Sequence, residues 1–153
     1  MSMVKPLNLL RYGKKQKIFC IGKNKTGTTS IAVFFDKLGI KVAPQWPAEL
    51  LIKDWAKDDY KRIIEYVKVS GLAFQDIPFS LSKTYEVIDK EFEDSKFILT
   101  IRDSAEVWYK SLTSFHSKLF GNGKLPTKEV LQQVDYMYPG FAWECNRLIH
   151  NTP

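Results

Sequence analysis

Apolar residues fall along this chain in two alternating patterns: short runs that are apolar almost throughout, and longer stretches with helical spacing. Residues 17–22 (KIFCIG) form the first run and end in glycine, as a strand buried on both faces does. After a polar loop, residues 28–38 carry apolar side chains at helical spacing and stop at Gly39, which suits a C-terminal cap. Strand, short loop, helix is the opening of an α/β fold. Residues 40–43 read as a second short strand, and residues 47–69 as mostly helical, broken near Asp54 and restarted at Asp58. Gly71 precedes another buried-strand candidate at residues 72–75, closed by Pro78. A helix is expected over 81–92. Residues 96–101 (KFILTI) carry the clearest strand pattern in the chain. A turn at Arg102-Asp103-Ser104 feeds a helix over about 105–119, Gly121-Asn122-Gly123 is a turn, and Thr127 opens a last helical stretch with a break near Pro139-Gly140. Strands alternating with helical crossovers of this length predict a parallel sheet covered by helices on both faces.

With 153 residues there is room for one domain, 1–153, with a real core. At 44% hydrophobic and 26% charged, the composition is that of an ordered chain. The formal net charge of +6 favours polyanionic partners, phosphorylated nucleotides among them. The basic residues are dispersed, though, and the densest stretch, 11–17, simply leads into the first strand. They are not interleaved with aromatics on a recognisable module, so no nucleic-acid partner is expected. Cys20 and Cys145 stand far apart in apolar surroundings, which suggests reduced core thiols rather than a disulfide framework. No His/Cys cluster has metal-ligand spacing, and no metal is expected. Charges at Lys5, Arg11, Lys14 and Lys15 interrupt any signal-peptide pattern, and no segment is long and apolar enough for a membrane span. A cytoplasmic protein is the expectation.

The loop between the first strand and helix holds the most chemistry. A glycine-containing loop at a helix N-terminus converges backbone N–H groups on one point, and the helix dipole adds positive potential, so it suits a phosphate. Gly22 and Gly27 have the separation of a nucleoside-triphosphate P-loop, but Thr28 stands where that motif carries its lysine, and Lys25 lies inside the loop instead. A Mg²⁺-ATP site lacks a central contact here. Lys25-Thr26-Gly27-Thr28-Thr29-Ser30 after a strand resembles the 5′-phosphosulfate loop of sulfotransferases that use 3′-phosphoadenosine 5′-phosphosulfate (PAPS). A second segment, residues 97–111, resembles the 3′-phosphate-binding segment of the same family, in which an arginine at a strand end and a serine on the next helix grip that phosphate. Arg102 and Ser111 take those places. A guanidinium suits bidentate contact with phosphate. Ser111 lies one residue further on than in many relatives, and the Trp108-Tyr109-x-Ser111 frame resembles a bacterial-type branch. Trp108 and Tyr109 themselves are expected to pack in the core.

The resemblance implies a three-layer P-loop-like fold and in-line transfer of a sulfuryl group from PAPS to a hydroxyl or amine, without a metal. Lys25 is then the catalytic cation, and Lys25, Thr26, Gly27, Thr28, Thr29 and Ser30 hold the 5′-phosphosulfate end. Arg102 and Ser111 select the 3′-phosphate. Asp76 stands where the cytosolic branch has a catalytic histidine (T-H-x-P-L-x-L), at the strand edge where α/β sheets bind ligands. It can act as acceptor base or simply cap the turn before Pro78; His116 is a rival base with a structural role as its alternative. Ser30 replaces the cytosolic branch's adenine-stacking tryptophan. Relatives continue past the position of Pro153, so a C-terminal portion is expected beyond it. A P-loop kinase or NTPase, and a nucleotide-binding module without turnover, remain the alternatives. The acceptor, a small molecule or carbohydrate, lies in variable loops the sequence does not decode.

Overall fold

A computed structural model describes Tyr12 and residues 15–150; Lys5, Arg11, Lys14 and the terminal 151–153 lie outside the described residues. The chain divides between Ile101 and Arg102 into two compact units. In the first unit, β1 (Ile18–Cys20) is the central strand of a three-stranded parallel sheet, flanked by β2 (Ala73–Gln75) and β3 (Lys96–Ile98) in the order β2-β1-β3. The register pairs Phe19 with Phe74 on one side and with Phe97 on the other. The helices are α1 (Thr28–Lys37), α2 (Gln45–Glu49), α3 (Ile52–Trp55), α4 (Lys61–Ser70) and α5 (Thr84–Glu91).

Alternation along β1 separates two cores. Phe19 faces a cluster containing Phe74, Phe79, Ile63, Val67 and Ile88, whereas Cys20 and Ala73 face Phe35 and Ile31 of α1. The sheet is therefore covered on both faces, as the alternating pattern requires. Phe19 is fully buried, with ring centroids 5.0 Å from Phe74 and 5.7 Å from Phe97. Helix α4 places Ile63 and Val67 on one stripe, four residues apart, and both are fully buried. Lys17, just before β1, is buried too. Its ammonium donates to the carbonyls of Tyr12 (2.6 Å) and Gly71 (3.1 Å), and burial pulls it down to about 8.

Several boundaries differ from the sequence expectations. The strand expected over 40–43 shrinks to one parallel bridge, Val42 to Ala73. Pro44 follows, and without an N–H it cannot extend the ladder; it leads instead into α2. The third helix of this stretch restarts at Lys61 rather than Asp58, because Asp58 is left-handed (φ 53) and the Asp59 carboxylate accepts from the Lys61 amide at 3.2 Å. Helix α5 starts at Thr84 rather than 81, after left-handed Lys83. The strand expected over 96–101 stops at Ile98. Its neighbour β1 has by then turned into the loop, so Leu99 and Ile101 are exposed at 65% and 76%.

The second unit holds α6 (Ala105–Phe120), α7 (Lys128–Gln133) and α8 (Phe141–His150). Ser104 and Thr127 cap α6 and α7 by accepting from the amides of Val107 and Val130. The expected final helical stretch is split more widely than a break at Pro139-Gly140, since residues 134–140 include an antiparallel bridge between Asp135 and Pro139. Leu131, Phe141 and Ala142 are buried.

Phe19→Ala removes the ring around which the larger cluster packs. Urea unfolding is expected to show a loss of about 3–5 kcal/mol, typical of a fully buried phenylalanine truncation.

Candidate active site

The sheet's C-terminal edge is where the loop leaves β1. Gly22 begins it for a steric reason: a Cβ there would lie 2.1 Å from Thr100 Oγ1 and 2.4 Å from the Thr100 carbonyl oxygen. Only glycine lets the loop pass this close to the chain leaving β3. Thr100 Oγ1 in turn shares a hydrogen bond with Thr26 Oγ1 at 2.8 Å, and Thr26 donates to the Lys23 carbonyl. The loop is thus pinned to β3 and to itself. Lys25 (φ 64) and Gly27 (φ 101) are both left-handed. Such a conformation costs a lysine on the order of 1–2 kcal/mol, so the surrounding contacts must hold it. A Cβ on Gly27 would meet nothing within 4 Å.

Helix α1 then begins at Thr28 with no side-chain cap and no acid in its first turn. Its leading N–H groups face the loop, as an anion-binding terminus requires. The three hydroxyls differ in setting. Thr28 is buried and donates to Asp76 Oδ2 at 3.5 Å, while Thr29 and Ser30 are exposed.

Asp76 closes the site from the end of β2. It is left-handed (φ 56); its carboxylate accepts from the Ile77 amide at 3.0 Å, and its carbonyl accepts from the Ser80 amide at 2.9 Å. It therefore caps the turn at Pro78 while presenting its other oxygen to Thr28. Burial raises its carboxyl above the usual range, opposed by the Ile77 and Thr28 hydrogen bonds and by the charge of Lys25. Lys25 and Thr28 of the loop motif thus meet Asp76 of the segment after β2.

Glu49 also belongs to this place, and nothing in its sequence setting, Pro-Ala-Glu-Leu, distinguishes it from any solvated helical glutamate. It lies at the end of α2, one turn after Gln45, whose side-chain amide donates to the Ile77 carbonyl at 3.0 Å. Burial and repulsion from Asp76 push the Glu49 carboxyl up to about 7, against a hydrogen bond from Gln45.

Arg102 and Ser111 belong to the second unit. Arg102 is exposed in the turn before α6; Ser111, half-buried, lies about 10 Å along the helix from the Ser104 cap and on the same side. The expectation of core packing for the Trp108-Tyr109 pair needs correction. Tyr109 is 59% exposed and Trp108 half-buried, because α6 carries apolar residues around much of its circumference and buries none fully. His116 lies between the rings of Phe115 and Phe120, at 5.9 and 5.6 Å. Cys20 is buried, its thiol pushed up to about 11, while Cys145 is only half-buried. Among the described residues, no helix is long and apolar enough to cross a membrane, and no group of three or more His, Cys, Asp or Glu gathers as a metal site.

A family model described as a sulfotransferase domain matches residues 17–152. The chain belongs to the sulfotransferase family. No curated protein and no solved structure matches it. Membership makes this sulfotransferase a transferase of sulfuryl groups in general, and its mixed α/β fold with helices on both faces of a parallel sheet agrees with that.

Glu49 imposes a pH signature on stability. The unfolded chain releases this proton near 4.5 and the folded chain near 7. Between those values the folded state binds more protons, so stability falls as pH rises. The expected loss is on the order of 2 kcal/mol, less than the full shift implies because the group is partly exposed. Urea midpoints across this window are expected to fall in the wild type and to flatten in Glu49→Gln.

Proposed function

We propose that this sulfotransferase transfers the sulfuryl group of PAPS to a hydroxyl or amine of a small-molecule or carbohydrate acceptor, releasing adenosine 3′,5′-bisphosphate. The observation that carries the proposal is the meeting of Lys25, Thr28 and Asp76 at the mouth of the loop, a cation, a hydroxyl and a half-buried carboxylate. The open space over left-handed Gly27 and the uncapped α1 terminus suit a 5′-phosphosulfate, which would be held by Thr26, Gly27, Thr28, Thr29 and Ser30.

In the proposed transfer Lys25 neutralises charge on the bridging oxygen as the bisphosphate leaves. Asp76 takes the acceptor's proton as the new bond to sulfur forms. Burial, which raises the Asp76 carboxyl, makes it a better base than an exposed aspartate. Arg102 and Ser111 supply the 3′-phosphate contacts that distinguish PAPS from ATP, and residues 1–153 act together as one sulfotransferase-like domain. No metal ion takes part. Cys20, a buried thiol outside any disulfide, suits a reducing, cytoplasmic setting.

Calorimetric titration with adenosine 3′,5′-bisphosphate, against 5′-ADP, tests the assignment. The bisphosphate is expected to bind more tightly, and Arg102→Ala to weaken it at least about tenfold, the worth of one charge-assisted hydrogen bond. Equal affinity for both nucleotides, unchanged in Arg102→Ala, contradicts it.

A further inference from the structure

The turn that carries Lys25 is held by a hydroxyl from outside the loop motif. The Thr26 amide donates to the Lys23 carbonyl at 3.3 Å, closing a turn with Asn24 and Lys25 at its centre. Lys25 (φ 64) takes the left-handed third position, where a turn favours glycine because a side chain there is strained. Lysine keeps that conformation only when its surroundings close the turn more firmly than one long amide bond does. The Thr26 hydroxyl adds a second bond to the same Lys23 carbonyl. A hydroxyl has one proton to give, and here that proton is already placed. The 2.8 Å bond between Thr26 Oγ1 and Thr100 Oγ1 therefore runs one way, with Thr100 the donor.

Thr100 itself is placed by the sheet. The Ile21 amide donates to the Ile98 carbonyl at 2.9 Å, tying the end of β1 to the end of β3. Gly22 then passes so close that a Cβ on it would lie 2.8 Å from the Thr100 amide nitrogen. We propose that Thr100 is a positioning residue for Lys25, its hydroxyl fixing the Lys23–Thr26 turn by donating to Thr26, which donates to the Lys23 carbonyl. Accepting a proton from Thr100 polarises the Thr26 hydroxyl and strengthens its own donation, as linked hydrogen bonds do. In the sequence Thr100 reads as the inside of a strand, within residues 96–101, and nothing there marks it for this role.

What Thr100 does in turnover rests on the sulfotransferase proposal, in which Lys25 neutralises charge on the leaving oxygen. A cation set an ångström or so out of place loses much of that effect, since the stabilisation depends on a preorganised position. The hold of Thr100 on the turn does not rest on that proposal, because it is made of protein groups alone.

The test is made on the full chain, first without nucleotide. Amide hydrogen exchange is followed by NMR in the wild type, Thr100→Val, Thr100→Ser and Thr100→Ala. In Thr100→Val, which keeps the shape and removes the donor, the Thr26 amide is expected to exchange about fivefold faster, the worth of one hydrogen bond. The Phe19 amide, inside β1, is expected to keep its rate. Thr100→Ser keeps the hydroxyl and is expected to restore the Thr26 rate. Thr100→Ala, which adds no bulk beside Gly22, gives the same reading should the valine chain fold poorly. A Thr26 amide unmoved in a folded valine or alanine chain, equal acceleration at Phe19, or a serine chain that behaves like the valine chain overturns the proposal. Adenosine 3′,5′-bisphosphate is then titrated into the same chains, and about fivefold weaker binding is expected in Thr100→Val but not in Thr100→Ser. The exchange effect in a chain with no preference for this nucleotide over 5′-ADP leaves Thr100 in its role and removes the PAPS assignment. Selective binding with an unmoved Thr26 amide does the reverse.

Discussion

Strand β1 is hydrogen-bonded along both edges, and the loop after it, α1 and Asp76 are placed relative to its end. The Ile18 amide donates to the Leu72 carbonyl at 2.9 Å on one edge, and the Lys96 amide donates to the Lys17 carbonyl at 2.8 Å on the other. The central position fixes Phe19 and Cys20 into opposite cores and leaves no freedom of register. Where β1 ends, Gly22 must pass against Thr100, and the loop inherits its course from that approach. Helix α1 and Asp76 then converge because they start from the C-terminal ends of neighbouring parallel strands, the general location of ligand sites in such sheets.

Much of this was legible in the residues. Gly22, Gly27 and the hydroxyl run beginning at Thr28 marked a loop between a strand and a helix, and the alternation of short apolar runs with helical stretches announced the sheet. What the pattern misjudged was extent. Ile40 and Val42 have the side chains of a strand, but Pro44 denies the ladder a donor. Leu99 and Ile101 look as apolar as Phe97, yet a strand lasts only as long as its neighbour, and β1 has already left. Tyr109 reads as core by composition, but α6 alternates apolar side chains around its circumference, and no periodicity decides which of them face solvent.

Glu49 was illegible for a different reason. Its raised carboxyl depends on burial and on repulsion from Asp76, in a helix held to the turn after β2 by the Gln45 hydrogen bond to the Ile77 carbonyl, across a gap of more than twenty residues. A motif records neighbours along the chain; the burial that lifts this carboxyl is a property of the fold. The same holds for Lys17, the basic residue that opens the first apolar run, which is a buried cation gripping the Tyr12 and Gly71 carbonyls.

The central claim is that the loop between β1 and α1 is an anion cradle set by the sheet. Amide ¹H–¹⁵N spectra recorded with and without adenosine 3′,5′-bisphosphate test it most directly, since each loop N–H reports its own hydrogen bond. The account predicts the largest shifts at the amides of Lys25, Thr26, Gly27, Thr28 and Thr29, with α7 unaffected. Saturating nucleotide that leaves those five amides in place, or shifts only residues elsewhere, contradicts it.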